Sequence, residues 1–289
     1  MCRLFGFRSA VLSRAHRSLV AAENAMAVQA RQHRDGWGMG YFHGGDAYVI
    51  KSEAGAADNE SFRRAADRLA SHTFVVHVRR ATVGGLGPFN VHPFRHGRWL
   101  FAHNGTLFEF DRLRPKLYER VPRHLADHVL GTTDTESLFF FLLAELERAG
   151  LDPLGACPIG ADRLGTALEE ALDTLYRLVD EAGCPPPVVN FILTNGNVFV
   201  ANRSGRELFF ATQKAVCQDF ATCAWPDKIC MLPARPGDRV NHLIVASEKI
   251  GDEDRWEELP EGTMAILSDD FRVSFRKPPP AWRPAEQAC

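Results

Sequence analysis

Apolar residues recur every three or four positions in four parts of the chain, a spacing that gives a helix one buried face. This spacing predicts helices at residues 14–34, 58–69, 137–148 and 162–183. The last is the most regular, and Gly183 suits the C-terminus of a helix. Its apolar face consists of Leu164, Leu168, Ala171, Leu175 and Leu178.

Shorter apolar runs, bounded by Gly, Pro, Asn or Asp, predict strands. They lie at residues 4–7, 41–51, 74–78, 98–103, 188–194, 197–202, 207–212, 240–247, 263–268 and 271–275. Gly44-Gly45 divides the second run into two strands, and Asn195-Gly196 is a strong hairpin signal. Strands joined by hairpins and separated by a few long helices indicate an α+β fold with mostly antiparallel sheets.

The chain has 289 residues, of which 45% are hydrophobic and 24% charged, which is ordinary for a globular protein. We find no internal repeat and no linker, so we expect one domain at residues 2–276 and a proline-rich tail at residues 277–289. A net charge of −2 gives no sign of a nucleic-acid or membrane partner. The absence of a signal peptide and of an apolar run of about 18 residues favours a cytoplasmic protein.

The seven cysteines are scattered, and none forms a CxxC pair. Cys217, Cys223 and Cys230 lie close together, but their spacing matches no familiar zinc pattern. We therefore expect reduced thiols, no bound metal and no cofactor.

The candidate chemistry begins at Cys2, which directly follows Met1. Removal of Met1 would leave one residue that carries both a thiol and an α-amine. An α-amine has a reference pKa of about 7.7–8.0, so it can take the thiol proton near neutral pH and generate the reactive thiolate. A strand at residues 4–7 would hold this terminus in place. A cysteine in this position can also be a small buried structural residue.

Two further stretches adjoin predicted strands. Residues 36–40 contain three glycines, which favours a loop whose backbone closely approaches another group. Arg79 and Arg80 follow the buried strand at residues 74–78. They form either a solvated rim or a site in which one guanidinium turns inward to hold a carboxylate through two hydrogen bonds.

Asn104 and Gly105 follow the predicted strand at residues 98–103 and have two interpretations. Asn-Gly is a frequent hairpin turn. The Asn104 side-chain amide and the Gly105 backbone N–H could instead point at one position and form an oxyanion hole.

Thr133-Asp134-Thr135-Glu136 precedes the predicted helix at residues 137–148. Thr133 and Glu136 fit a capping box, in which each side chain binds the backbone N–H of the other residue. Asp134 would lie in the first helical turn, where its negative charge suits the helix dipole. Capping therefore explains this motif without any chemistry.

The order of these motifs resembles that of the class-II glutamine amidotransferases, which belong to the N-terminal-nucleophile hydrolases. The chain has an N-terminal Cys, a Gly-rich stretch after the first helix, His-Val-Arg-Arg-Ala-Thr, Ala-His-Asn-Gly, and then Thr-Asp-Thr-Glu before a helix. The resemblance spans about residues 2–150 and continues more loosely through residues 194–196 to residues 245–248 and the strand predicted after them. It implies a four-layer αββα sandwich.

The resemblance also implies roles for individual residues. Cys2 matches the family's nucleophile, and Asn104 with Gly105 matches its oxyanion hole. Arg79 lies where the family binds the α-carboxylate of glutamine, with Thr82 beside that contact.

Asp134 matches the acid that binds the α-amine of the substrate. One fixed cation and one fixed anion are what a zwitterionic amino-acid head requires, so these residue types suit a small-molecule γ-glutamyl substrate.

The chain departs from the synthase-fused members of the family at two positions. In many of these members a tryptophan follows the arginine and a histidine follows the threonine, whereas this chain has Arg80 and Val83. It is more similar to the stand-alone members, which include γ-glutamyl hydrolases of ergothioneine synthesis and glutathione breakdown. We therefore expect γ-glutamyl conjugates to be hydrolysed with higher kcat/KM than glutamine. Residues 36–40 and 83–88 would line the leaving-group side, with Trp37 as an apolar wall.

Three alternatives remain open at this point. The chain could be a glutaminase subunit that passes ammonia to a separate synthase partner. It could be a catalytically silent binding or regulatory protein, although such a protein has no need of both a thiol and an oxyanion hole. A bile-salt-hydrolase-like enzyme would also begin with a cysteine, but it would not need a clamp for an amino-acid head.

Overall fold

The computed structural model describes residues 2–81, 83–216 and 229–277. Its strands are β1 (Arg3–Arg14), β2 (Trp37–His43), β3 (Asp46–Ser52), β4 (Ala70–Val78), β5 (Phe94–His96), β6 (Trp99–Thr106), β7 (Val188–Thr194), β8 (Phe199–Arg203), β9 (Phe209–Ala211), β10 (His242–Ala246), β11 (Glu257–Glu258), β12 (Thr263–Leu267) and β13 (Val273–Arg276). Its α-helices are α1 (Met26–Gln29), α2 (Glu60–Arg68), α3 (Phe110–Arg120), α4 (Arg123–Ala126), α5 (Asp134–Arg148) and α6 (Ala161–Glu181).

The strands form two sheets in which all neighbours are antiparallel. The larger sheet has seven strands in the order β11-β9-β10-β1-β4-β2-β3. The smaller sheet has six strands in the order β13-β12-β8-β7-β6-β5. The strand that follows Cys2 is therefore the central strand of the larger sheet.

The alternation of side chains along each strand determines the layers, because successive residues point to opposite faces of a sheet. In β1, Leu4 packs between the two sheets, whereas Phe5 packs against the outer layer that contains α2. In β6, Leu100 packs between the sheets, and Phe101 packs against the layer that contains α3, α5 and α6. Helices thus cover the outer face of each sheet.

These layers confirm the α+β class and the four-layer αββα sandwich. The hairpin at residues 195–196 is confirmed, since β7 ends at Thr194 and β8 begins at Phe199. The long helix is also confirmed. Gly183 follows its last residues with a φ of 63°, which is the left-handed conformation typical of a helix end. The proline-rich tail, apart from Lys277, lies outside the described residues.

The helix predicted at residues 14–34 is wrong. Strand β1 continues to Arg14, and only short helical segments follow, at Arg17–Ala21, Met26–Gln29 and Ala30–Gln32. Pairing with β4 holds β1 extended as far as Arg14, opposite Ala70. Helix α2 begins one residue later than expected, because Asn59 rather than Asp58 accepts the capping hydrogen bond, from the backbone N–H of Phe62.

The loop predicted at residues 36–40 is also wrong, because β2 begins at Trp37. Trp37 is fully buried against Phe62, so it cannot form a wall on the leaving-group side. The glycines permit close packing of the sheet. A Cβ atom on Gly38 would lie 2.0 Å from the carbonyl oxygen of His92.

No helix in the described part of the chain has both the length and the apolar content needed to cross a bilayer.

Candidate active site

The two residues after Cys2, Arg3 and Leu4, hold it beside the start of the central strand through an ion pair and two hydrogen bonds. The backbone N–H of Leu4 donates to Ser247 Oγ at 3.1 Å, and the backbone N–H of Ser247 donates to the Leu4 carbonyl at 2.9 Å. Arg3 forms an ion pair with Glu248. Ser247 and Glu248, which belong to the looser part of the sequence resemblance, therefore anchor the strand that follows Cys2.

The thiol of Cys2 contacts the backbone that follows β4. Its Sγ lies 3.2 Å from both the backbone nitrogen and the carbonyl oxygen of Arg80. Among the described residues, no histidine forms a hydrogen bond with this sulfur.

The electrostatic surroundings of Cys2 favour a protonated thiol at neutral pH. Burial raises the pKa of the Cys2 thiol, while the hydrogen bond from Arg80 and the positive charges of Arg79 and Arg206 lower it, with burial prevailing. Because the thiolate is the nucleophilic form, any attack by this thiol would require a base to remove its proton.

A pocket of about 340 Å³ opens over Cys2. The described residues that line it are Cys2, Arg80, Ala81, Asn104, Gly105, Thr106 and Arg206. Three of the six predicted site residues, namely Cys2, Asn104 and Gly105, thus share one pocket.

Asn104 and Gly105 lie within β6 and do not form a turn, so the hairpin interpretation is wrong. Asn104 is 5% exposed, and its side-chain amide has no hydrogen-bond partner among the residues described. Packing requires a glycine at position 105, because a Cβ atom there would lie 1.9 Å from the carbonyl oxygen of Val188. Glycine at this position therefore has a structural cause, whereas the proposed oxyanion donor is a backbone N–H that other residues would also supply.

Asp134 is the first residue of α5 and is 4% exposed. Its Oδ2 accepts a hydrogen bond from the backbone N–H of Leu107, two residues after Gly105, at 2.8 Å. Its Oδ1 accepts one from the backbone N–H of Thr135, also at 2.8 Å. The carboxylate therefore joins the start of the helix to the end of β6, beside the pocket.

His103, a residue of β6, contacts both the start of α5 and the start of β7. Its Nε2 lies 2.9 Å from the carbonyl oxygen of Val188, and its Nδ1 lies 3.0 Å from Thr135 Oγ1. Burial lowers the pKa of His103, and the charge of Asp134 raises it in part. The imidazole is thus neutral, and the carbonyl fixes its proton on Nε2, so Thr135 donates to Nδ1.

Half of the predicted capping box is present. The Thr133 side chain accepts a hydrogen bond from the backbone N–H of Glu136 at 3.2 Å, as expected for an N-cap residue. Glu136 does not bind the backbone of Thr133. It accepts hydrogen bonds from the backbone N–H groups of Leu130 and Gly131 instead.

Arg79 turns inward and is 3% exposed, so the solvated-rim interpretation is wrong for this residue. Its guanidinium donates to the carbonyl oxygens of Val83, Gly84 and Gly85 at 3.1–3.3 Å. Thr82 lies outside the described residues. Arg80, in contrast, has an exposed side chain.

Arg206 lines the pocket although no sequence pattern singled it out. It lies in the loop between β8 and β9, 204 positions after Cys2 in the chain. Nothing in its immediate sequence distinguishes it from other loop arginines. The pairing of β8 with β7 and of β7 with β6 brings this loop to the pocket.

Two face-to-face antiparallel sheets with helices outside both define the fold class of the N-terminal-nucleophile hydrolases, and Cys2 directly precedes the central strand of the larger sheet. The family model described as "Glutamine amidotransferases class-II" matches residues 1–288. The chain belongs to this family, whose members are generally enzymes.

Two relatives and one solved structure illustrate the similarity. A Saccharomyces cerevisiae protein described as a "probable glutamine amidotransferase" is 26% identical over 226 residues, which cover 70% of this chain and 63% of the yeast protein. The γ-glutamyl-hercynylcysteine sulfoxide hydrolase of Mycobacterium tuberculosis is 26% identical over 230 residues, covering 78% of this chain and 72% of that protein. The chain thus spans less than two thirds of the yeast protein's length.

The solved structure of a glutamine aminotransferase class-II domain protein from Silicibacter pomeroyi is similar with a TM-score of 0.60 and 17% identity. The similarity covers 96% of this chain and 100% of that one. At this level of identity it establishes the fold.

Proposed function

We propose that the protein hydrolyses a γ-glutamyl amide through a thioester on Cys2. The observation that carries the proposal is the single pocket lined by Cys2, Asn104 and Gly105. A thiol, a side-chain amide and a strand backbone around one space are the groups that acyl transfer needs, since an attacked carbonyl requires both a nucleophile and donors for its oxyanion.

The proposed reaction begins when the α-amine of Cys2, exposed after removal of Met1, takes the thiol proton. The thiolate attacks the γ-carbonyl carbon, and the Asn104 amide and the Gly105 N–H stabilise the resulting oxyanion. The C–N bond then breaks, and the α-ammonium returns its proton to the leaving amine. Water attacks the thioester by the same route, which releases glutamate and regenerates the thiol.

Arg79, Thr82 and Asp134 are proposed to bind the glutamyl head. Arg79 has five N–H donors, and its three contacts with the loop carbonyls leave others for the α-carboxylate. Asp134 accepts two backbone hydrogen bonds and keeps further lone pairs for the α-ammonium group.

A panel of γ-glutamyl compounds tests the proposal by glutamate release from the purified protein. We expect conjugates to show higher kcat/KM than glutamine, which the name of the mycobacterial hydrolase supports. A preference for glutamine of tenfold or more, about 1.4 kcal/mol in transition-state stabilisation, would favour an ammonia-donating glutaminase with a separate synthase partner. No release from any compound would favour a catalytically silent binding protein.

Replacement of Asn104 by alanine should lower kcat by about 10²–10³-fold, the usual effect of removing one oxyanion donor. KM should change little, because the donor acts mainly on the transition state. Steady-state kinetics on the best substrate of the panel measures this. A loss below tenfold would remove Asn104 from the oxyanion hole.

Asp134→Asn and Glu136→Gln form a matched pair. Each change leaves one buried or partly buried backbone N–H without an acceptor, since each native carboxylate accepts from two. Both variants should lose about 1–3 kcal/mol of stability in denaturant unfolding.

Only Asp134→Asn should also lose kcat/KM, by about 10- to 150-fold, because the substrate ammonium loses a charged partner. Equal kinetics in the two variants would show that Asp134 has only a structural role.

A further inference from the structure

We infer that Arg206 and Arg80 form a subsite for an anionic group on the amine side of the scissile bond. The preferred substrates are then γ-glutamyl conjugates whose leaving amine carries a carboxylate, such as γ-glutamyl amino acids or peptides. This inference rests on the proposed function and narrows its substrate class. Both arginines line the pocket over Cys2, and no carboxylate is among the described residues that line it.

Arg206 is held at the pocket through its backbone. Asn190 Nδ2 donates to the carbonyl oxygen of Arg206 at 2.9 Å, and Asn190 Oδ1 accepts from the backbone N–H of Ser204 at 2.7 Å. Asn190 is fully buried and lies directly opposite Asn104 on the neighbouring strand. The loop that presents Arg206 is thus fixed to the strand beside the proposed oxyanion donor.

Arg203, which ends β8, and Arg206, which lies in this loop, differ in whether acidic side chains neutralise their charges. Arg203 forms ion pairs with both Glu258 and Glu261, at 2.5 Å and 3.2 Å. The half-buried Arg206 guanidinium has neither an ion pair nor a hydrogen bond to any residue in the described ranges. Burial also lowers its pKa, the sign of an incompletely compensated cation. An anion in the pocket would supply the missing charge.

Arg80 is the second arginine among the described residues that line this pocket. Its backbone nitrogen and oxygen both contact Cys2 Sγ, so its backbone is fixed beside the thiol while its side chain remains exposed. This side chain also has no ion pair within the described parts of the chain. Two arginine forks are well suited to hold one carboxylate.

The glutamyl head has other charged partners. Arg79 and Asp134 are proposed to bind it, and neither is among the described residues that line the pocket containing the two arginines. A single head carboxylate does not require three arginines, and the head ammonium would be repelled by Arg80 and Arg206. The two cations therefore match a second anionic group, which a conjugate carries on its leaving amine and glutamine lacks.

Two substrates of nearly equal size test the inference, γ-glutamylglycine and γ-glutamylglycinamide, because they differ in the charge of the leaving group. Wild-type protein should prefer γ-glutamylglycine by tenfold or more in kcat/KM. Arg206→Gln should lower kcat/KM for γ-glutamylglycine by about 10- to 100-fold, the effect of one lost charged hydrogen bond. It should lower the value for the amide by less than threefold, and Arg206→Lys should retain part of the preference.

Arg123→Gln serves as the matched control, since Arg123 is an exposed arginine on α4 whose side chain is 93% accessible. It should leave both values unchanged, and thermal unfolding should show that Arg206→Gln is folded. Calorimetric binding to Cys2→Ala protein should show the same preference for the charged conjugate.

Equal losses on both substrates would overturn the inference, since Arg206 would then act on the thiol or on the glutamyl head. Equal wild-type kinetics and binding for the two substrates would overturn it as well. Absence of glutamate release from every compound would overturn the proposed function itself, while the binding preference in Cys2→Ala protein would still decide whether the pocket selects an anion.

Discussion

Replacement of Cys2 by alanine is expected to lower kcat by on the order of 10⁶-fold, the loss that removal of an enzyme's nucleophile can cause. No other described residue that lines the pocket can form the thioester, because these residues offer amide, backbone, hydroxyl and guanidinium groups. Stability should change by only about 0.5–1.5 kcal/mol, since the thiol contributes just its contacts with the backbone of Arg80. Kinetics and thermal unfolding of the same preparation measure both effects.

Cys157→Ala is the matched control, because Cys157 is an exposed thiol far along the chain. Its activity should equal that of the wild type. A γ-glutamyl-mimicking electrophile should label Cys2 and none of the other six cysteines. Peptide mapping that places the label on Cys217, Cys223 or Cys230 would contradict the assignment of the nucleophile.

Retention of Met1 is expected to lower kcat/KM by about 10²–10⁴-fold, the typical contribution of a positioned general base. Burial keeps the pKa of the Cys2 thiol raised, so the thiol requires a base. A peptide bond to Met1 would abolish the α-amine proposed to serve as that base. A fusion with a protease site that leaves Cys2 first allows the same protein to be assayed before and after cleavage.

The pH dependence provides a second readout of this prediction. In cleaved protein, kcat/KM should fall as pH decreases below the α-amine pKa of about 7.7–8.0, because a protonated amine cannot accept the thiol proton. Intact-mass spectrometry verifies the terminus in each sample. Full activity in protein that still carries Met1 would exclude the self-activating nucleophile.

Sequence patterns correctly predicted those elements of the fold that are determined by residues close together in the chain. Helix α6 has a complete apolar face and a terminal glycine, and the hairpin at residues 195–196 has a turn sequence, so each follows from neighbouring residues. The helix predicted at residues 14–34 failed at its first residue because Arg14 belongs to β1 and pairs with Ala70, 56 positions away in the chain. Periodicity within a window cannot detect such pairing.

The same distinction between local and long-range determinants applies to the residues of the candidate site. Cys2 and Asn104 were identifiable because their positions in ordered motifs resemble those of a known family. Trp37 was misplaced because its glycine-rich setting indicates a loop, whereas Gly38 serves close packing against the backbone of His92. Arg206 was missed because its placement depends on the side chain of Asn190 and on strand order, neither of which has a signature in the sequence.

The position of β1 links catalysis to the cooperativity of folding. Chain termini usually fray at little free-energy cost, yet the residue proposed as nucleophile directly precedes a strand that has partners on both sides. Releasing it would separate β4 from β10 and open the middle of the seven-stranded sheet. Strand β1 therefore belongs to the last region expected to exchange its amide hydrogens, and the position of the Cys2 backbone beside it depends on the global unfolding free energy.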